Sequence, residues 1–228
     1  MSLDLKELYA TRAPSETHEF RRRVWRVLWQ DVFSQWVQPN DTVVDLGAGY
    51  CEFINAAQAQ RRIAVDLNPD TRTHADPGVD VQLSSAEDLA FLGDGDVDVV
   101  FSSNFLEHLP SKDALARSMR EVLRVLKPGG TLILMGPNIR FVGGEYWDFF
   151  DHHLALTDRS LSELLESMSF EIVRCLPRFL PYTFKNRGPR WPWLVSAYLK
   201  ILPLSARLMG KQFLIVARTP TAKNGNGA

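Results

Sequence analysis

Residues 145–153 read EYWDFFDHH, which places three acids, two adjacent histidines and four aromatic side chains in nine positions. Such a cluster could ligate a metal, activate a substrate or fill a polar patch of core. Adjacent side chains diverge on a helix and point oppositely on a strand, so His152 and His153 do not readily share one ion. Asp148 and His152 lie four apart, on one face of any helical turn, which is the arrangement of a carboxylate-oriented histidine base. Two ligands without a third in sequence make a metal the minor alternative, and none is expected here. Tyr146, Trp147 and His153 are then the expected wall for a bound substrate. Packing is the competing use of these aromatics and histidines.

A second stretch, VVDLGAGYCEF at residues 43–53, carries a different chemistry. Glycines between a strand and a helix let backbone approach a ligand closely, and the helix N-terminus offers unpaired N–H groups. Nicotinamide dehydrogenases use the same device. Here, however, Asp45 precedes the glycines, and Glu52 stands where the third glycine of G-x-G-x-x-G belongs. Asp66, at the end of the next apolar run, could accept both hydroxyls of a ribose. His108, in NFLEHL, is a further proton-exchanging side chain; a purely structural role competes with that use.

These residues need a scaffold, and the sequence describes one. TVVDL (42–46), IAVDL (63–67), VDVQL (79–83), VDVVFS (97–102), TLILM (131–135), FEIVRC (170–175) and QFLIVAR (212–218) read as strands. Helical patterns lie between them: from Glu52 to about Gln60, over 111–126 with Ser111 as cap, and from Thr157 or Asp158 through Met168. Apolar strands alternating with helices predict a mostly parallel sheet covered on both faces. Ahead of it, Phe20, Val24, Leu28, Val32 and Trp36, with Trp25, Trp29 and Phe33 beside them, make one broad apolar face over 15–37, a helix that covers the domain. The expected layout is one domain over 1–220. It comprises a helical cover (1–38), a core (40–175), an insert (176–211) and the last strand, and residues 219–228 form a disordered tail.

Composition bounds the rest. The 45% apolar and 23% charged content is ordinary for a globular chain. Cys51 and Cys175 lack metal spacing and are expected as free thiols. The start MSLDLKELYATRAPSE has no apolar h-region, and no uninterrupted apolar run is long enough to span a bilayer, which predicts a cytoplasmic protein. The net charge of −1 hides a split: residues 172–228 carry ten basic and no acidic side chains, leaving −11 for the remainder. That asymmetry predicts a C-terminal face that meets something anionic, against the alternative of a solvated basic surface. The stretch 179–210 combines this charge with Trp191, Trp193 and many leucines, as a peripheral membrane anchor, an acceptor lid or a homodimer interface would. No nucleic-acid recognition motif accompanies the basic residues, so nucleic acid is not expected as a partner.

Five motifs in order resemble those of the class I S-adenosylmethionine-dependent methyltransferases. DLGAGYC resembles their motif I and AVDLNP their acidic second strand; SSAEDL resembles the adenine-contacting segment. FSSNFLEHL and RVLKPGGTLIL resemble the segments after the fourth strand and before the fifth. The resemblance spans about residues 40–175. It implies a three-layer, Rossmann-like, seven-stranded sheet whose last strand is antiparallel, and S-adenosylmethionine as cofactor. It further implies that Asp45, Gly47 and Gly49 line the methionine moiety, that Asp66 holds the ribose and that Leu67 lies against the adenine. Ser85, Ala86 and Glu87 would flank the adenine edge, Asn104 the methyl, and Tyr9 and Arg12 would close over the carboxylate. Two positions depart from the pattern. Cys51 replaces a glycine, and Ser85 stands where an aspartate is common. The implied reaction is methyl transfer to a small or lipid-linked acceptor such as a sugar or glycan precursor. Oxygen is the expected atom, since no Asn-Pro-Pro-Tyr-type motif follows the fourth strand. The competing readings are a non-catalytic cofactor-binding or membrane-docking module and a nicotinamide-dependent oxidoreductase.

Overall fold

The computed structural model describes residues 18–182, 192–202 and 204–221. Seven strands form one sheet: β1 (Thr42–Leu46), β2 (Arg61–Val65), β3 (Val79–Gln82), β4 (Val97–Ser103), β5 (Leu126–Pro137), β6 (Glu171–Leu176) and β7 (Gln212–Arg218). Their order is β3-β2-β1-β4-β5-β7-β6. The pairings among β1 to β5 are parallel, and β7 runs antiparallel to both of its neighbours. The expected architecture is therefore the observed one.

Period-two alternation builds the layers. Val44, Ile63 and Val65 join one apolar cluster, while Val43 and Ala64 join the other. The first cluster is completed by Leu115, Met119 and Val122 of α4 (Lys112–Val125) and by Leu161 and Leu165 of α6 (Asp158–Ser167). The second is completed by Val24 and Leu28 of α1 (His18–Leu28), Phe53 of α2 (Glu52–Ala56), and Val195 and Tyr198 of α7 (Pro192–Lys200). Short α3 (Thr71–His74) and α5 (Ile139–Val142) serve as connections.

Caps set two of the helix starts. The Ser111 side chain accepts from the Ala114 amide, and Thr157 with Ser160 forms a reciprocal capping box. The N-terminal cover is not one uniform helix. After Leu28 it widens into a π turn at Trp29–Phe33 and tightens into a 3₁₀ turn at Ser34–Trp36, which keeps Trp29, Val32 and Phe33 all inward.

Three boundaries differ from the sequence pattern. α2 stops at Ala56 rather than near Gln60, because Ala57 is already extended toward β2. β2 begins at Arg61, drawn forward by pairing with Thr42. β5 begins at Leu126, ahead of Pro128-Gly129-Gly130; Leu126 pairs with Val97, and the register shifts between Val97 and Val99, an irregularity that accommodates a proline. The expected tail of 219–228 does not begin at Thr219. Thr219 is buried, and its amide and hydroxyl donate to the Gly130 and Lys127 carbonyls. Residues 222–228 lie outside the described residues, as do Tyr9, Arg12, Lys185, Arg187, Arg190 and Trp191.

Candidate functional site

The strand order reverses between β1 and β4, and ligands of open α/β sheets bind beyond the carboxyl ends of the strands at such a point. Four adjacent strand ends converge there. The Gly47 and Ala48 amides both donate to the Val65 carbonyl, at 2.9 and 3.1 Å, folding the glycine loop over the end of β2. The Gly49 amide donates to Asp66 Oδ2 at 2.7 Å, and Asn68 donates to Oδ1 at 2.8 Å. The Asp66 amide in turn donates to Gln82 at the end of β3, and the Asn104 amide to Met135 of β5. Asp66 is thus fixed beside the glycine loop as a charged acceptor.

The loop needs its glycines for separate reasons. Gly47 has φ +74°, and a Cβ there would lie 2.2 Å from Cγ of Phe105, whose ring covers the loop. Gly49 has φ +50°, and nothing stands within 4 Å of where its Cβ would be, so the backbone borders open space. Cys51 also sits in the left-handed region, at φ 59°, which is why glycine suits that position. Its thiol is buried and donates toward the Thr71 carbonyl. Burial pushes its pKa far up, so the side chain packs and does not react.

The other expected cofactor residues follow the same edge. Leu67, just past Asp66, is 68% exposed, an apolar platform in an otherwise polar rim. Ala86 is buried, and the Ser85 hydroxyl accepts from the Glu87 amide. The Glu87 carboxylate accepts from Arg117 at 2.6 Å. Asn104 is exposed, in the left-handed region at φ 49°, and donates to Ser103. Asp45 is different: it is buried beneath the loop, bonded to the Ile54 amide. Burial and the charges of Glu52 and Asp66 push its carboxyl well above the usual range. Arg21 of α1 pairs with Glu52 at 2.8 Å, clamping the N-terminal cover onto the helix that follows the glycines. A cavity of about 140 Å³ lies beside this clamp, lined by His18, Arg22, Tyr50, Glu52, His74 and Asp76 among others.

A group with a ribose, an apolar ring system and an amino-acid-like chain fits this edge. It offers an acid for paired hydroxyls, an exposed leucine for the ring, and open backbone at Gly49 for close approach.

The acceptor side is arranged differently from the expectation. A 3₁₀ turn covers Gly143–Asp148, and Phe149 is extended, so Asp148 and His152 do not share a helical face. Asp148 is exposed, whereas His152 is buried. The carboxylate that orients a histidine is Asp151, and the histidine is His108: its Nδ1 donates to Asp151 Oδ2 and to the Asp151 carbonyl, both at 3.1 Å. Burial alone would lower the His108 pKa; Asp151 and the charge of Glu107 outweigh it and raise it. His152 Nδ1 donates to the Tyr146 carbonyl at 2.8 Å.

Tyr146 is not an acceptor wall. Its side chain is fully buried and its hydroxyl donates to the Leu154 carbonyl, so packing claims it. Trp147, 54% exposed, and His153 remain on the surface. The expectation missed Glu107 altogether. This residue is buried beside the two histidines, its carbonyl accepts from the His153 and Leu154 amides, and burial pushes its carboxyl up to about 7. Donor atoms of Glu107, His108 and His152 lie within 4.8 Å of one another. The only sequence signal was an acid beside a histidine after the fourth strand; nothing local pairs it with residues 45 positions away.

Comparison with known proteins agrees with the edge geometry. Residues 44–134 match a family described as a methyltransferase domain. A Mycolicibacterium smegmatis protein named a probable S-adenosylmethionine-dependent methyltransferase is 32% identical over 169 residues, covering 72% of this chain and 63% of that protein. A ubiquinone biosynthesis O-methyltransferase of Xanthomonas campestris is 34% identical over 125 residues, 47% of this chain and 51% of its own. The chain spans between 42% and 63% of the length of the first curated relatives it matches. Among solved structures, a methyltransferase from Archaeoglobus fulgidus superposes with a TM-score of 0.65 at 18% identity, over 89% of this chain and 97% of that one.

Proposed function

We propose that the chain is a class I S-adenosylmethionine-dependent methyltransferase, a reading supported by the matched methyltransferase domain and the Mycolicibacterium relative, and that it transfers a methyl group from S-adenosylmethionine to an oxygen of a small or lipid-linked acceptor. The observation that carries this reading is the shared edge formed by Gly47, Gly49, Asp66, Leu67 and Asn104 at the switch point of the sheet. Bound there, the cofactor supplies an electrophilic methyl on a sulfonium. The chain's own residues do the rest. Asp66, held by the Gly49 and Asn68 amides, accepts the ribose hydroxyls, and Leu67 covers the adenine. Asp45 and the glycine loop shape the methionine end. Ser85, Ala86 and Glu87 border the adenine edge, and Asn104 stands nearest the methyl.

In-line displacement requires the acceptor oxygen to be aligned with the methyl and relieved of its proton. The set of Glu107, His108, Asp151 and His152 borders the acceptor side and can draw that proton away. It replaces the Asp148–His152 pair in this role, with Trp147 and His153 contributing outer contacts. Oxygen as the acceptor atom is supported by the name of the Xanthomonas relative.

Among the described residues no helix is long and apolar enough to cross a membrane. The insert nonetheless exposes large apolar side chains: Trp193 on α7, Ile201, and Leu204, Leu208 and Met209 on α8 (Leu204–Met209). They lie in the stretch with ten basic and no acidic residues. We infer a cytoplasmic protein that meets an anionic lipid surface through this insert, with a homodimer as the competing arrangement. Co-sedimentation with vesicles containing anionic lipid, lost in Leu208→Asp, supports docking; dimerisation lost in the same variant supports the interface.

Calorimetry with S-adenosylhomocysteine and, separately, NAD tests the activity class. Binding of S-adenosylhomocysteine in the micromolar range is expected, and tight binding of NAD alone overturns the reading.

A further inference from the structure

Deepening that reading, and resting on its placement of the acceptor, we propose that Glu107, His108 and His152 form a divalent-cation site of the two-imidazole, one-carboxylate type. The site joins the loop after β4 to the segment 145–154.

Three observations meet at this point. The donor atoms, one from each residue, already lie within 4.8 Å of one another. Ligands on one ion with bonds of about 2.0–2.2 Å stand roughly 3.3 Å apart, so side-chain rotations of about an ångström complete the set. Each histidine also has an outer partner of the kind that metal-bound imidazoles use. His108 Nδ1 donates to the Asp151 carboxylate, and His152 Nδ1 donates to the Tyr146 carbonyl. Both bonds put the proton on Nδ1 and the lone pair on Nε2, and a carboxylate or carbonyl behind the ring fixes its orientation. The rings stand edge to face, 4.9 Å apart.

The third observation is burial. Glu107 and His152 are almost fully buried, and Glu107 Oε2 lies 3.6 Å from where a Cβ on Gly136 would stand, so the small residue leaves the carboxylate room. A buried carboxylate is costly unless a counter-charge accompanies it, and a cation between Glu107 and the two imidazoles supplies one. The backbone already brings the segments together, since the His153 and Leu154 amides both donate to the Glu107 carbonyl. His108 is the more exposed of the three ligands, so the fourth position opens on its side, toward the acceptor. With their lone pairs on the ion, these three residues no longer take the proton themselves; the cation lowers the pKa of an acceptor hydroxyl that binds it, so the proton leaves to water and the oxygen meets the methyl as an anion. Nitrogen-rich ligation favours Zn²⁺, Co²⁺ or Fe²⁺ over Mg²⁺ and Ca²⁺.

The test uses the full chain, stripped by a chelator, then titrated with Zn²⁺ against a chromogenic competitor and with Co²⁺ followed by visible absorption. One equivalent per chain with micromolar or tighter affinity is expected. His152→Ala and His108→Ala should weaken it at least 100-fold, and Asp151→Asn, which keeps every ligand, roughly 10–100-fold. Replacing both cysteines by serine should leave it unchanged. Binding that is absent, or undiminished in Asp151→Asn and in a His152→Ala variant with native circular dichroism, overturns the site. S-adenosylhomocysteine calorimetry on the same samples separates the two ideas. Retained cofactor-product binding without Zn²⁺ binding sinks the cation site alone, whereas loss of both sinks the proposed activity.

Discussion

At the cofactor edge, contacts join residues that neighbouring strands bring level, as with Gly49 and Asp66, 17 positions apart. At the acceptor side, His108 reaches Asp151 across 43 positions and between two loops. The first region is made by backbone: two glycines at positive φ, amides aimed at a strand end, and an acid held by two N–H groups. The second is made by side chains buried against one another in irregular segments. Backbone-made sites are tied to the sheet and tolerate variation around them, whereas loop-made sites depend on each distant partner. One fold can therefore keep its donor chemistry while its acceptor chemistry diverges.

The most severe way to break the backbone-made half is Gly47→Ala. The new methyl meets the Phe105 ring in a left-handed conformation, so overpacking and strain together cost about 3 kcal/mol. Urea denaturation should register that loss, and S-adenosylhomocysteine binding should fall more than 100-fold; a well-folded variant that binds normally would erase the distinction. His108→Ala strikes the other half. It should lower kcat by about 10²-fold or more while the Kd for S-adenosylhomocysteine stays within about threefold, and steady-state kinetics beside calorimetry reads both numbers. Asp66→Asn keeps the shape but removes the charge and leaves one of the Gly49 and Asn68 amides facing an NH2 donor instead of an acceptor oxygen. A roughly tenfold weaker cofactor, about 1.4 kcal/mol, with little change in kcat is the expected outcome.

The Asp45 carboxyl offers a subtler probe. Its pKa in the folded chain is raised by burial and by the charges of Glu52 and Asp66. Above the ordinary carboxylate range the folded state therefore holds a proton that the unfolded state has released. Stability contributed by that proton is present at low pH and declines as pH rises toward the folded value. Thermal unfolding of Asp45→Asn should accordingly show a shallower decline with rising pH than the parent; an unchanged slope would assign the decline to other groups. The smallest effect is expected of Trp147→Ala. This exposed side chain should alter stability by no more than about 0.5 kcal/mol and raise only the KM of the acceptor.

The same contrast explains what could be read in advance. Strands from Val43 to Val216 were legible because apolar runs, glycine turns and capping residues are local signals; their alternation with helices implied a mostly parallel sheet, and the antiparallel last strand came from the family resemblance. Asp66 and the glycine loop were legible for the same reason. The pair Asp148–His152 was not a sound inference, since its spacing matters only on a helix and the 3₁₀ turn ends at Asp148. Tyr146 was expected in the acceptor wall, and nothing in its neighbours signals that Leu154 receives its hydroxyl. Glu107 passed unnoticed because its partners arrive from a segment that no periodicity connects to it.

The placement of β7 has a consequence for how the chain is made. It sits between β5 and β6, and among the described residues β6 pairs within the sheet only with β7. On the ribosome, residues up to about 140 can assemble β3-β2-β1-β4-β5 as they emerge, cofactor edge included. β6 must then wait as an unpaired ribbon until Gln212–Arg218 has been synthesised and slots in beside it. The last seven-residue strand is thus the keystone of assembly, and the basic, apolar insert before it is exposed during the most vulnerable interval of the chain's birth.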